Sequence, residues 1–365
     1  MNKNQYNQKP LSPYSGNKQL KKILVTGGLG FIGSNFIQYI LDKRKNIEII
    51  YNVDNWNTYS SSKWLNLNVK FNKLSKQDKK RYKFIHGDIV DASLYRKLPA
   101  DIDAVVNFAA ETHVDRSIID AKGFIKSNIL GLYNLIDFAR KNSIHRFIHI
   151  STDEVYGSII SGSFKEESLL LPNNPYSATK ASADLIIRSI IKTYGYKPII
   201  VRPSNNFGPW QYPEKVIPLF ITNAISGMPL PIYGDGKNVR EWLFVRDTCD
   251  GLYQILNKGK TGEIYNLGGG HACSNIDLAQ RILQKLSNSH KDMIKFIKDR
   301  PGHDKRYSID SSKMFKETNW KPHINFDDAL NETIKWYNEN AYWWKSIKSN
   351  IEFKKYYKKQ YGVKA

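Results

Sequence analysis

Short runs of apolar residues, separated by amphipathic stretches, dominate the first two hundred positions of the chain. Lys22-Ile23-Leu24-Val25-Thr26 reads as a buried strand, followed by a glycine-rich turn and a helix through about Leu41. Further strands are predicted over Ile47–Asp54, Tyr82–His86, Ala104–Phe108, Phe147–Ile150 and Pro198–Val201. Helices are predicted from Phe124 to Arg140 and over 177–194. Strands that are nearly continuous apolar runs, alternating with helices, indicate a parallel sheet covered on both faces. Beyond Pro203 the pattern becomes irregular and richer in Pro and Gly, which marks a second region. The expected fold is α/β: a Rossmann-type doubly wound parallel sheet over 21–203, with a segment near 240–262 returning to it. A smaller C-terminal α/β domain lies mainly over 204–345, and basic tails occupy 1–20 and 346–365.

Composition narrows the class. The 365 residues are 41% hydrophobic, enough for a sizeable core. No run approaches the ~18 apolar residues of a membrane helix. The first twenty residues lack the apolar stretch of a signal peptide. Cys249 and Cys273 are the only cysteines, so no disulfide framework is expected and a reducing compartment, the cytoplasm, fits. The net charge of +21 would by itself point to a polyanion partner. It is concentrated, however, in residues 1–22, 70–83 and 345–365, which reads as Lys-rich solvated surface. The KKYYKK run near the C-terminus interleaves aromatics with lysines as some nucleic-acid binders do, but no nucleic-acid motif accompanies it, so such a partner is not expected.

Candidate chemistry begins at the first turn. Gly27, Gly30 and Gly33 are spaced G-x-x-G-x-x-G between a strand and a helix. Missing side chains allow a tight turn and close approach to a pyrophosphate at the helix N-terminus. Asp54 ends the next strand, 21 residues past Gly33, where an acid can bond the adenosine ribose. A carboxylate there repels a 2′-phosphate, so NAD is expected rather than NADP. Asp88, after strand three, is a candidate for the adenine edge or an ordinary loop residue.

A Tyr-x-x-x-Lys spacing occurs five times, but only Tyr176 and Lys180 combine a helix start after a Pro-rich loop with an upstream strand ending in Ser151-Thr152. A nearby ammonium and a positive nicotinamide are expected to lower the phenol, letting it take a proton from a sugar hydroxyl. Asp153 and Glu154 directly follow Thr152. Adjacent acids can divide the work, one neutral and donating, the other ionised and accepting, as elimination of water requires.

With TGGLGFIGSN, HGDI, NFAAETHVDRSI, ISTDEVYG, NPYSATKA, RPSNNFGPWQYPEKVIPLF, PIYGDGKNVREWLFVRD, YNLGGG and DRPGHDKRYSID in order, the sequence resembles the extended short-chain dehydrogenase/reductase family. It is especially similar to the nucleoside-diphosphate-glucose 4,6-dehydratases, from Lys22 to about Lys345. That resemblance implies a lyase acting on dTDP-glucose or UDP-glucose, at the first step of a 6-deoxyhexose route such as rhamnose. Thr152 would bond O4, and Tyr176, helped by Lys180, would take its proton as hydride leaves C4 for a retained, recycled NAD. Glu154 would remove the C5 proton, Asp153 would protonate the departing O6, and hydride would return to C6. Phe31, Ile32, Asp54, Asp88, Ile89, Ala109, Ala110 and Asn206 match cofactor positions. Thr112, Asn205, Lys215, Val216, Ile217, Pro218, Leu219, Pro231, Ile232, Tyr233, Arg240, Asn266, Arg300 and His303 match substrate positions, the two arginines suiting a diphosphate. The family is usually homodimeric through the helices near 124–140 and 177–194. One departure is a residue inserted after Asp54, in Asn55-Trp56-Asn57-Thr58-Tyr59.

Two other readings stand beside this one. An epimerase or decarboxylase could use the same scaffold, though Asp153 and Glu154 oppose it. A noncatalytic nucleotide-sugar or polyanion binder would rest on the basic segments. His145 and His149 lack a third ligand at metal spacing, so no metal is expected. Trp336, Trp343 and Trp344 are expected to pack a C-terminal helix.

Overall fold

A computed structural model describes residues 19–55, 74–286 and 291–362. Its strands are β1 (Lys22–Thr26), β2 (Ile49–Asp54), β3 (Tyr82–His86), β4 (Ala104–Asn107), β5 (Arg146–Ile150), β6 (Ile199–Pro203), β7 (Asn205–Phe207), β8 (Leu230–Tyr233), β9 (Val239–Phe244), β10 (Ile264–Leu267), β11 (His271–Ser274) and β12 (Ile294–Ile297). Seven of them form one parallel sheet in the order β3-β2-β1-β4-β5-β6-β10. The chain winds outward in both directions from β1 and β4. That reversal opens a crevice at the carboxyl ends of the strands, where open α/β sheets bind ligands.

Alternation along the strands explains the two-sided packing. Ile23 and Val25 of β1 face one core with Phe36, Ile37 and Ile40 of α1 (Phe31–Lys43), while Leu24 faces the other. The second core is closed by Leu132, Leu135 and Ile136 of α2 (Leu132–Lys141) and by Ile187 and Ile190 of α3 (Pro175–Tyr194). The helix predicted from Phe124 to Arg140 is present, but it contains a π turn at Lys126–Gly131. The extra residue brings Asn128 inward, where it bonds both backbone groups of Glu111 and the Thr179 hydroxyl.

The smaller region holds α4 (Val216–Ile225), the three-stranded sheet β11-β9-β7 and the pair β12-β8. Its apolar residues merge with the first core rather than forming a separate one. The segment returning to the main sheet differs from expectation. β9 belongs to the small sheet, whereas α5 (Val245–Lys258) packs on α1 and β10 adds the seventh strand. The return therefore runs through Leu267. Ile264–Leu267 is too short to stand out as a strand until its edge against β6 is seen.

The expected basic tail at 346–365 needs correction. After α6 (Phe326–Glu339), helices α7 (Ala341–Ser349) and α8 (Ile351–Tyr361) continue the packed structure. Phe353, Tyr356, Tyr357 and Tyr361 fall on one helical stripe and are buried, and the intervening lysines face outward. The aromatics of KKYYKK are therefore core residues. Trp336, Trp343 and Trp344 pack here as expected, Trp336 and Trp343 against Trp210. In the basic segment 70–83, Lys76–Arg81 is helical, and buried Arg81 donates to the carbonyls of Leu41, Arg44 and Ile47 at the end of α1. Part of that charge thus serves the fold.

Candidate active site

The crevice at the strand ends is a cleft of about 370 Å³. Its first wall is the glycine turn. Gly27 has φ +70°, and a Cβ on it would lie 2.6 Å from the backbone nitrogen of Ala109. A Cβ on Gly33 would lie 2.4 Å from the Gly27 carbonyl. The loops after β1 and β4 therefore meet backbone to backbone, with α1 starting at its N-cap Gly30. Asp54 sits at the end of β2, and its Oδ2 accepts from the Leu29 amide at 3.0 Å. Phe31, Ile32, Ile89, Ala109, Ala110 and Asn206 line the same cleft. A backbone cradle that side chains would fill, a helix N-terminus and an acid at the end of β2 fit the pyrophosphate and ribose of NAD. Asp88 also lines the cleft, but its oxygens accept from the Val90 amide and the Asn55 side chain, as in an ordinary loop turn. Residues 56–59, where the insertion falls, lie outside the described residues.

The reactive side chains come from two elements. β5 delivers Thr152, which caps a tight 3₁₀ turn over Asp153–Tyr156. That turn folds both acids inward. Asp153 is 1% and Glu154 9% exposed. The Thr152 hydroxyl donates to Asp153 Oδ1 at 3.3 Å and accepts from the Glu154 amide at 3.3 Å. Asp153 Oδ2 and Glu154 Oε2 are buried with no hydrogen-bond partner. Tyr176 and Lys180 lie one turn apart on α3, whose start is fixed by Pro175 and a reciprocal Asn174–Ser177 capping box.

Burial pushes the Asp153 carboxyl well up, reinforced by Glu154 and Glu241. Burial also raises Glu154, but Arg300, Lys215 and Arg240 oppose it with positive charge. Both carboxyls are thus raised, Asp153 the more strongly, with more cations opposing the shift at Glu154. The expected lowering of the phenol by Lys180 is not what the geometry gives. Burial, then the Glu154 and Asp153 charges, raise Tyr176. The Lys180 amine instead bonds the Ile150 carbonyl at 2.6 Å and approaches His149 Nε2 at 3.3 Å, and burial lowers it to about 8. His149 continues to Asn107 and Thr26, forming a buried polar chain beneath the site.

Of the residues matched to substrate, Thr112, Thr152, Asn205, Lys215 and Val216 line the cleft. Tyr233, Arg240, Arg300 and His303 form an adjoining cluster, with the ring of Tyr233 against both His303 and Arg300. Arg240 donates to the Val239 and Asp304 carbonyls and lies over Tyr307. Ile217, Pro218, Leu219, Pro231 and Ile232 are buried beneath these groups on α4 and β8. Asn266 is placed otherwise. It is fully buried on β10, and its side chain is used by Tyr156, Phe164 and Asp310. Sequence reading did not single out Asp115. This buried acid accepts from Arg300, Tyr233 and Tyr356. Its only sequence signal is its place in the NFAAETHVDRSI run.

The doubly wound sheet, glycine cradle and Thr–Tyr–Lys constellation define an extended short-chain dehydrogenase/reductase. Residues 24–333 match the family described as GDP-mannose 4,6 dehydratase, and the chain belongs to it. A dTDP-glucose 4,6-dehydratase of Streptomyces niveus is 43% identical over 337 residues, 91% of this chain and 97% of that protein. The low-salt glycan biosynthesis protein Agl12 of Haloferax volcanii is 46% identical over 86% of this chain and 98% of its own. Among solved structures, the dTDP-glucose 4,6-dehydratase DesIV of Streptomyces venezuelae, determined with NAD bound, superposes with a TM-score of 0.84. It is 43% identical and covers 89% of this chain and 99% of its own.

Proposed function

We propose that this chain is a hydro-lyase that converts a nucleoside-diphosphate-glucose to the 4-keto-6-deoxy sugar and water. One observation carries the reading beyond the scaffold: two adjacent buried acids each have an unpartnered oxygen, with Asp153 raised the more strongly and Glu154 countered by Arg300, Lys215 and Arg240. Epimerisation at C4 needs no such pair. The names of the Streptomyces relatives support the same activity.

The glycine turn, the N-terminus of α1 and Asp54 would hold NAD, which would supply reversible hydride chemistry at the sugar. The protein's own groups handle the protons. Tyr176 takes the O4 proton while Thr152 bonds O4, and the positive charge of a bound nicotinamide would counter the carboxylates that raise the phenol. Lys180 anchors the helix turn that carries Tyr176 and adds positive charge beneath it. Once C4 is a ketone the C5 proton is acidic, and Glu154, kept ionisable by three cations, removes it. Asp153, kept neutral by burial, gives its proton to departing O6. Lys215, Arg240 and Arg300 provide positive charge for the diphosphate side.

Incubation with dTDP-glucose and with UDP-glucose, followed by mass spectrometry, tests the reading. Loss of one water supports it. An isomer of unchanged mass would replace it with an epimerase. Comparing kcat/KM on the two substrates assigns the base, since one methyl in an apolar pocket changes it by about 10–200-fold. The reading includes a cytoplasmic enzyme at the entry to 6-deoxyhexose synthesis such as rhamnose. It also includes a homodimer. Supporting a dimer, Ile118, Ile119, Ile125, Leu130, Tyr133 and Leu185 are exposed along the helices flanking the second core. No helix among the described residues is long and apolar enough to cross a membrane.

A further inference from the structure

The terminal helix α8 lies beyond residue 333, where the family match ends. It has two edges. Phe353 and Tyr357 stack on each other and enter the core, where the Tyr357 hydroxyl bonds the Asn223 side chain at 2.8 Å. Tyr356 and Gln360, one turn apart, form a polar edge. Gln360 donates to the Tyr233 hydroxyl at 2.5 Å. Tyr356 donates to Asp115 Oδ2 at 3.4 Å, and Tyr233 donates to the same oxygen at 3.1 Å. The other oxygen of Asp115 holds the Arg300 guanidinium at 3.0 Å, while the Arg300 Nε is buried without a partner. Tyr361 packs its ring beside Tyr233. A helix needed only as a lid over apolar surface would not direct two side chains at this network.

We infer that α8 is a positioning element for the nucleoside-diphosphate half of the substrate, holding Tyr233 and Arg300 in place through Gln360, Tyr356 and Asp115. The inference rests on the proposed function, in which Arg300 serves the diphosphate side, and on the match of Tyr233 to a substrate position. Because the network lies on the diphosphate side, it governs binding shared by the ground and transition states. Loss of such binding raises KM and leaves kcat alone.

The test uses the full-length holoenzyme with Gln360→Ala and Tyr356→Phe, singly and together. Both are conservative truncations, and Tm reports whether the fold is kept. The KM for dTDP-glucose and the inhibition constant of dTDP, which lacks the sugar, are measured with kcat and Tm. The expected result is a parallel rise of about tenfold in KM and in the dTDP constant for the pair, with kcat within twofold. That is the order expected when two hydrogen bonds that act only through Tyr233 and Arg300 are lost together. Unchanged KM and dTDP constant, with or without a lower Tm, would assign α8 to packing alone and overturn the inference. Tyr233→Phe and Arg300→Gln separate the two levels. If they raise KM and the α8 variants do not, only the helix's role fails. If they also leave KM unchanged, the substrate reading of this cluster fails and takes the inference with it.

Discussion

Asp153 and Glu154 are next to each other in sequence and buried, and both carboxyls are raised, but cations oppose the shift more at Glu154 than at Asp153. Glu241 adds negative charge to the burial that raises Asp153, whereas Arg300, Lys215 and Arg240 counter the burial that raises Glu154. A base must be ionised, so activity is lost as pH falls through a Glu154 value above the ordinary carboxylate range. An acid must be protonated, so activity is lost as pH rises through the still more strongly raised value of Asp153. The kcat profile on NDP-glucose is therefore bell-shaped, with apparent values that belong to the coupled pair. A kcat that does not fall as the pH is lowered would contradict this arrangement. Glu154→Gln should still oxidise C4, turning the bound nicotinamide to its reduced absorbance, but in D2O it should exchange no hydrogen at C5 and release no water. Normal product formation by this variant would show that another base serves C5.

The elements vary in how openly the sequence declares them. β1, α1 and the glycines between them were legible because the turn needs specific φ values and contact distances, which only missing side chains allow. Thr152, Tyr176 and Lys180 were legible because a strand end and a capped helix start bracket them. The π turn was not, since Lys126–Gly131 keeps a helical apolar pattern while gaining one residue. Asn266 matched a motif, but pairing of β10 with β6 turns its amide into the interior. α8 was hidden by its lysines, because net charge masked four aromatics at helical spacing. This last element gives a stability prediction. Tyr357 is 0% exposed and accepts from Asn223, so Tyr357→Ala opens a large cavity and removes one of the hydrogen bonds of that buried amide. It should cost about 3–5 kcal/mol and lower Tm on the order of 5 °C. An unchanged melting curve would mean that α8 is not docked in solution.

At the scale of the whole molecule, the two regions are interleaved rather than joined end to end. One apolar cluster runs from Ile23 and Phe36 through Leu252 and Tyr265 to Trp344 and Tyr357. The main sheet takes its outermost strand from residues synthesised after β7, β8 and β9. Cooperative units follow contiguous cores, so calorimetry of the holoenzyme should show one transition; two separate peaks would indicate independent halves. The change in sequence texture at Pro203 is thus no place to divide the chain. A fragment ending there would leave the Ile199–Pro203 strand with one side bare, its amides and carbonyls offered to any neighbour. Such a piece, expressed to obtain a compact nucleotide-binding module, should instead recruit other copies of itself and be recovered as aggregate.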